Sequence, residues 1–396
     1  MMPRAASDPR LKSAPKEASG AKSKTGKVGL TVLMLAGFGA ALYFAVRGQS
    51  TASAERAETQ AIASATELKG LIALDVEPFF ADARVRKILA EKRLPVSVTR
   101  IGSREMASRV VPGAMPDFIF PSGVVAANQI AAAAAKAKIA IAQSSPFYTP
   151  MVIASWQPIA KILVANGMAK PLGDRTYGVD IAKLTETMLA KKRWKDLKGA
   201  EAYDVSRGVL VSTTDVRRSN SAAMYLALTS YAKHGDVVTD RATAETVTRQ
   251  LADLFKRQGY QENYVNGNFD DYVAIGIGKT PMAFIYENQL VAYALAKKGV
   301  AADMVLMYPQ PTIVNKVVFI ATSERSKALA DLLANHAELQ KIGVEYGFRI
   351  ADTGTFMQAV KSTGLSVEER ITQVVDPPSF DLMAEMIDIV TQEMAK

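Results

Sequence analysis

Between the apolar run Val209 to Val211 and an alanine-, methionine- and leucine-rich segment, Thr213, Thr214, Ser219, Asn220 and Ser221 place five hydroxyl or amide side chains within nine residues. Such groups hold a ligand through hydrogen bonds, and they also cap helices. The pattern predicts a buried strand at Val209 to Val211, a break at Thr213 to Asp215, and a helix that begins after Ser219. Backbone N–H groups left free at a helix start, with the helix dipole behind them, attract an anion or a polar ligand group. Polar residues also stand where other apolar runs end: Asp75 and Glu77, Ser103, Ser122 with Gly123, and Tyr286 to Asn288. Ligands of open α/β sheets bind beyond the carboxyl ends of the strands, so these positions are expected to converge on one cleft.

Covalent and metal chemistry find little to work with. The chain has two histidines, His234 and His336, and no cysteine, which leaves neither a zinc-ligand pattern nor a histidine-based triad. Gly276 to Thr280 reads GIGKT, but Val273 stands where a phosphate-binding loop needs its first glycine. The expectation is therefore a binding protein with no catalytic residue, no metal and no cofactor.

These residues have to be positioned by alternating strands and helices. Strands are predicted at Leu71 to Leu74, Pro95 to Ile101, Asp117 to Phe120, Val152 to Trp156, Pro281 to Tyr286 and Val317 to Ile320. Helices are predicted at Pro78 to Lys92, from Gly102 onward, from Ser122 to Lys136, at Ile159 to Asn166, Asp180 to Lys191, Glu245 to Arg257 and Ser326 to Ala334. Strand–helix alternation of this kind predicts a mainly parallel, doubly wound sheet. The prolines of 304–311 suit a stiff connection more than a central strand. A final helix, Phe380 to Glu393, carries Phe380, Met383, Ile387 and Val390 on one stripe and is expected to pack across a lobe or hinge.

Ahead of this body, Val28 to Val46 is an uncharged apolar segment of the length that spans a bilayer. Seven basic residues against two acidic ones precede it, which predicts a cytoplasmic tail at 1–27, a transmembrane helix at 28–46 and an exported remainder. Ala52-Ser53-Ala54 keeps open a cleaved signal peptide as the competing account. The tail holds +5 of the formal net charge of +9, so the other 369 residues carry only +4. Nucleic acid is thereby excluded as an expected partner. Residues 47–68 read as a polar juxtamembrane linker.

The stretches FFADARVRKIL with IGSREM, PDFIFPSG, MVIASWQPIAKIL, VLVSTTDVRRSNSAAMYLAL, FIYENQLV, and MYPQPTIVNKVVFI with EYGFRI follow one another from about residue 70 to 350. In that order they resemble a bacterial extracellular solute-binding protein of the type II periplasmic fold. They are similar to its molybdate-binding-like branch and to substrate-binding modules found beside von Willebrand A domains. The resemblance implies a two-lobed α/β body, preceded by the transmembrane helix, with lobe one at 69–150, lobe two at 151–305, and a return to lobe one with a C-terminal helix at 306–396. It implies a ligand in the interlobe cleft and closure about a hinge. Ser122 and Gly123 would face that ligand from lobe one; Thr213, Thr214, Ser219, Asn220 and Ser221 would face it from lobe two, with Tyr286 beside them and Arg217 or Arg218 as a charged clamp.

One departure bears on the ligand. Where oxyanion-binding relatives place a small hydroxyl residue after the first strand, this chain has Leu74-Asp75-Val76-Glu77. A carboxylate facing the cleft repels molybdate or sulfate, so amine-bearing solutes and peptides stand beside oxyanions as ligand classes. The expected function is a membrane-anchored, outward-facing solute-binding protein at the inner membrane, serving an ABC permease in transport or a signalling assembly in sensing. The alternative is a ligand-free interaction module on the same fold.

Overall fold

The structure, a computed structural model, describes residues 66–259, 267–297 and 299–396. The predicted span at 28–46, with the tail and most of the linker, lies outside the described residues. Among the described residues no helix is long and apolar enough to cross a membrane.

The chain opens with β1 (Leu68–Ile72), α1 (Glu77–Ala81) and α2 (Ala83–Glu91). The single helix expected from Pro78 to Lys92 is two, because Asp82 is extended and its carboxylate accepts a hydrogen bond from the Arg84 N–H at 2.8 Å, capping α2. Next come β2 (Val96–Arg100), β3 (Phe118–Phe120) and α3 (Val124–Lys136). Instead of the helix expected from Gly102, a turn leads into a short 3-10 segment, Met106–Arg109. The three strands run parallel in the order β2-β1-β3. Gly70 lets β1 lie against the Phe118 ring, since a Cβ there would fall 2.1 Å from a ring carbon. That ring stacks on Phe319 with centroids 4.9 Å apart, in a core that also holds Phe79, Phe80, Phe120 and Phe147.

The fourth strand, β4 (Ala142–Trp156), is fifteen residues long, far beyond the run expected at its C-terminal end. Pro146 lies inside its register irregularity between Ser144 and Phe147, where a missing N–H is tolerated. There follow α4 (Gln157–Ala165), β5 (Ala169–Gly173), β6 (Thr176–Asp180), α5 (Ile181–Leu189), α6 (Asn220–His234), α7 (Arg241–Lys256) and α8 (Gly267–Ala274). The remaining elements are β7 (Met282–Tyr286), α9 (Glu287–Lys297), β8 (Met304–Gln310), β9 (Val314–Ala321), α10 (Glu324–Asn335), α11 (Ala337–Glu345), α12 (Thr353–Lys361) and α13 (Phe380–Met394).

The strands form one nine-stranded sheet in the order β2-β1-β3-β9-β4-β8-β6-β5, with β7 also paired to β4. The expected mainly parallel sheet is instead mixed: β2-β1-β3 and β6-β8 are parallel, and the other pairs are antiparallel. The sheet has two halves that share β4, whose first part pairs with β9 and whose last residues pair with β7 and β8. The chain passes between the halves a second time at 311–313, between β8 and β9.

Two strand expectations need correction. The segment 304–310 is the strand β8, not a connection. Its pairing with β4 ends at Met307, so Pro309 faces only Val179 of β6 and no ladder bond is lost on its other side. Val209 and Val211 are buried as expected, but they form no strand: Gly208 and Ser212 make isolated bridges to Arg193 and Ala283. The Asn268 side-chain amide reaches in to donate to the Ser212 and Phe284 carbonyls at 3.0 and 3.2 Å, and the Thr213 N–H donates to the Gln258 side-chain Oε1 at 2.8 Å.

A buried ion pair secures the connection after α12. Glu287, at the start of α9, accepts from Arg349 Nε and Nη2 at 2.6 and 2.8 Å and from the Tyr308 hydroxyl. Arg349 also donates to the Glu368 and Glu369 carbonyls and lies 4.7 Å over the Phe356 ring. Both charged side chains are at most 2 % exposed, and four hydrogen bonds and a π face engage the guanidinium.

Candidate functional site

Three strands of the first half end at one place. Ala73 to Asp75 follow β1, Ile101 to Glu105 follow β2 and Ser122 follows β3, and all of these residues line a cavity of about 930 Å³. The opposite wall comes from Arg217, Arg218 and the first turns of α6, with Asn220, Ala223 and Met224. A further wall is α13, which contributes Phe380, Met383, Ala384, Ile387 and Asp388. That helix packs mainly on α7 and also meets α3 and α6, so it touches helices on both sides of the cavity. Ion pairs Arg249–Glu393 at 2.6 Å and Arg241–Glu385 at 3.4 Å fix it to α7.

Asp75 is the most unusual side chain of the cavity. A short 3-10 turn, Leu74–Val76, carries it off the end of β1. Its Oδ1 accepts from the Ser122 hydroxyl, while Oδ2 is shut off from solvent and has no hydrogen-bond partner among the described residues. Burial raises its carboxyl above the usual range, opposed in part by the Ser122 hydrogen bond. Ser122 is held in turn, its N–H donating to the Ser103 hydroxyl at 3.0 Å.

Three of the four arginines of the lining are engaged elsewhere. Arg100 donates to Glu77 at 3.0 Å, which takes Glu77 to the surface and out of the cavity lining. Arg217 donates to the buried carboxylate of Asp215 through Nε at 2.9 Å. Arg104 crosses from the first half to donate to the Arg217 and Val216 carbonyls at 2.9 and 3.1 Å, tying the two sides of the cavity together. Arg218 lines the cavity with an exposed side chain.

Of the polar residues singled out in the sequence, Asp75, Ser103, Ser122, Arg217, Arg218 and Asn220 therefore meet at the cavity. The others stand behind it. Asn220 donates to the buried Tyr286 hydroxyl at 2.9 Å, and burial followed by the charge of Asp75 raises that phenol well above its ordinary value. Gly123 has φ +81°, and a Cβ there would lie 2.7 Å from Asn315 Oδ1 and 3.3 Å from Asn220 Nδ2. The space and the backbone conformation both require glycine. Thr214, Ser221 and Ser219 bond to one another in a buried chain of hydroxyls at 3.0 and 2.8 Å, so Ser219 makes no side-chain cap to α6. Thr213 faces Gln258.

The final helix, expected to pack across a lobe or hinge, does meet helices on both sides of the cavity, but its place as a cavity wall and the bridge made by Arg104 go beyond the sequence reading. The stripe of Phe380, Met383 and Ile387 was the signal for the first. Nothing in the spacing of Arg104 points to carbonyls more than a hundred residues away.

No family model matches the sequence, and no curated protein matches it. Solved structures do match in fold. The periplasmic binding protein AfuA from Actinobacillus pleuropneumoniae, with fructose-6-phosphate bound, is similar at 12% identity and TM-score 0.50, covering 83% of this chain and 98% of its own. Iron-bound HitA from Pseudomonas aeruginosa matches at 13% identity and TM-score 0.49, covering 84% and 100%. The sulfate-binding protein SubI from Mycobacterium tuberculosis H37Rv matches at 14% identity and TM-score 0.41, covering 77% and 93%. The chain has the mixed α/β fold of periplasmic solute-binding proteins.

Proposed function

We propose that the body is a solute-binding protein that captures a small polar ligand in the cavity between its two sheet halves. The observation that carries this reading is the convergence of three strand ends and the first turn of α6 on one cavity of about 930 Å³, the size of a small-molecule site. The two halves then act as lobes, joined by β4 and by 311–313. The ligand stabilises the closed arrangement by the contacts it adds across the cleft. An anchor at 28–46 would hold this receptor on the outer face of the inner membrane, beside an ABC permease or a signalling partner. The fold likeness to AfuA supports the receptor reading; the anchor and partner rest on the sequence.

A thermal-shift screen of the full-length chain against oxyanions, amino acids, amines, short peptides and sugars tests it. A saturable rise in Tm with one class, lost in Asn220→Ala, is the expected result. If no class shifts the wild type, the fold serves as an interaction module and the search belongs with protein partners.

A further inference from the structure

We infer that the ligand carries a cationic nitrogen, an ammonium or guanidinium, which is seated on Asp75 at the polar end of the cavity while an apolar body lies against α3, α6 and α13. This rests on the receptor reading and names the class of solute that the cavity selects. Two independent observations lead to it.

The first is the orphaned oxygen. Among the described residues Asp75 Oδ2 has no partner, and it is shut off from solvent, although Asp75 lines the cavity. A carboxylate withdrawn from water calls for a positive charge or a donor. Among the described residues neither is directed at Oδ2: Arg100 binds Glu77, Arg104 binds backbone carbonyls, Arg217 binds Asp215, and Arg218 lines the cavity without a hydrogen bond to Asp75. A cationic N–H donor satisfies Oδ2 and the charge together. An oxyanion placed there would meet the carboxylate at hydrogen-bond range and leave Oδ2 without a donor.

The second is the character of the walls. Val125, Ala126, Ala223, Met224, Met383 and Ile387 give the cavity a hydrocarbon surface that a fully hydrated inorganic ion cannot use. Two of these, Met224 and Met383, are flexible thioethers that adapt to the shape of a bound aliphatic or aromatic body. Head and body are thus recognised by different elements: the turn after β1 reads charge, and the helices read bulk.

The test is isothermal titration calorimetry on the full-length chain with three amines, phenethylammonium, hexylammonium and agmatine. The uncharged 2-phenylethanol, the anion phenylacetate, sulfate and molybdate serve as comparisons. At least one amine is expected to bind, with 2-phenylethanol and the anions at least tenfold weaker. Asp75→Asn should weaken that amine tenfold or more while melting at or above the wild-type temperature, and Met383→Ala should weaken phenethylammonium more than agmatine. The comparison of amine with alcohol uses only the wild type, so it stands even if a variant fails to fold. Tighter binding of an anion or of the alcohol than of every amine overturns the cationic class and leaves the receptor reading in place. Silence from this panel and from the wider thermal-shift screen overturns both.

Discussion

Glu287 and Asp75 are both carboxylates withdrawn from water near the end of a strand, yet the fold treats them in opposite ways. Glu287 receives a bidentate guanidinium, a phenol and complete enclosure. Asp75 receives one serine hydroxyl and keeps an oxygen with no partner among the described residues. Arginine is not scarce around Asp75, since four arginines line the same cavity, but none is directed at it. A closed network such as that of Glu287 holds chain segments together and has nothing left to offer a ligand. An incomplete one is a weak point in the fold that a bound solute can repair.

The largest break in this contrast should come from Arg349→Ala. It strands Glu287 in the core and releases the Glu368 and Glu369 carbonyls, with an expected loss of about 3–5 kcal/mol in urea unfolding. A loss under about 1 kcal/mol would mean that the pair does not secure this part of the fold. Ser122→Ala removes the side-chain donor of Asp75, and about 1.5–3 kcal/mol is expected if the carboxylate stays ionised, as for a hydrogen bond to a charged group. A smaller loss would indicate that Asp75 takes up a proton in response.

Asp75→Asn should move stability in the other direction, and only at the higher pH. The folded carboxyl titrates above its unfolded value of about 3.9, so the folded chain holds more protons than the unfolded one between the two. Its contribution is therefore full below about pH 4 and is lost as the pH rises through the folded value. The variant should match wild type near pH 4 and be the more stable at pH 7; an equal offset at both would remove the pH argument. The smallest effect belongs to Arg100→Ala. Its partner Glu77 and its own side chain are both largely in water, so about 0–1 kcal/mol is expected in the same unfolding assay.

Much of this arrangement can be read in the sequence wherever a local rule decides it. The starts of α6, after Ser219, and of α13, at Phe380, fall where the sequence puts them, and Asp75 and Ser122 stand where apolar strands give way to polar residues. Local rules fail where tertiary partners decide. Pro309 argues against a strand until it is seen to lie past the last β4 partner. Val209 to Val211 look like a strand until the fold limits their neighbourhood to isolated bridges at Gly208 and Ser212. The hydroxyls from Thr213 to Ser221 read as a single ligand-facing set, whereas three of them satisfy one another. Composition shows that these groups need partners, and only the fold shows whether the partners are internal.

The length of β4 carries a consequence of its own. Because both halves of the sheet hydrogen-bond to this one strand, melting either half strips partners from the backbone on which the other depends. The halves should therefore unfold as a single cooperative unit. Amide exchange should be slowest from Met151 to Ser155, where β4 has the most neighbours, and should fade toward both ends of the sheet alike.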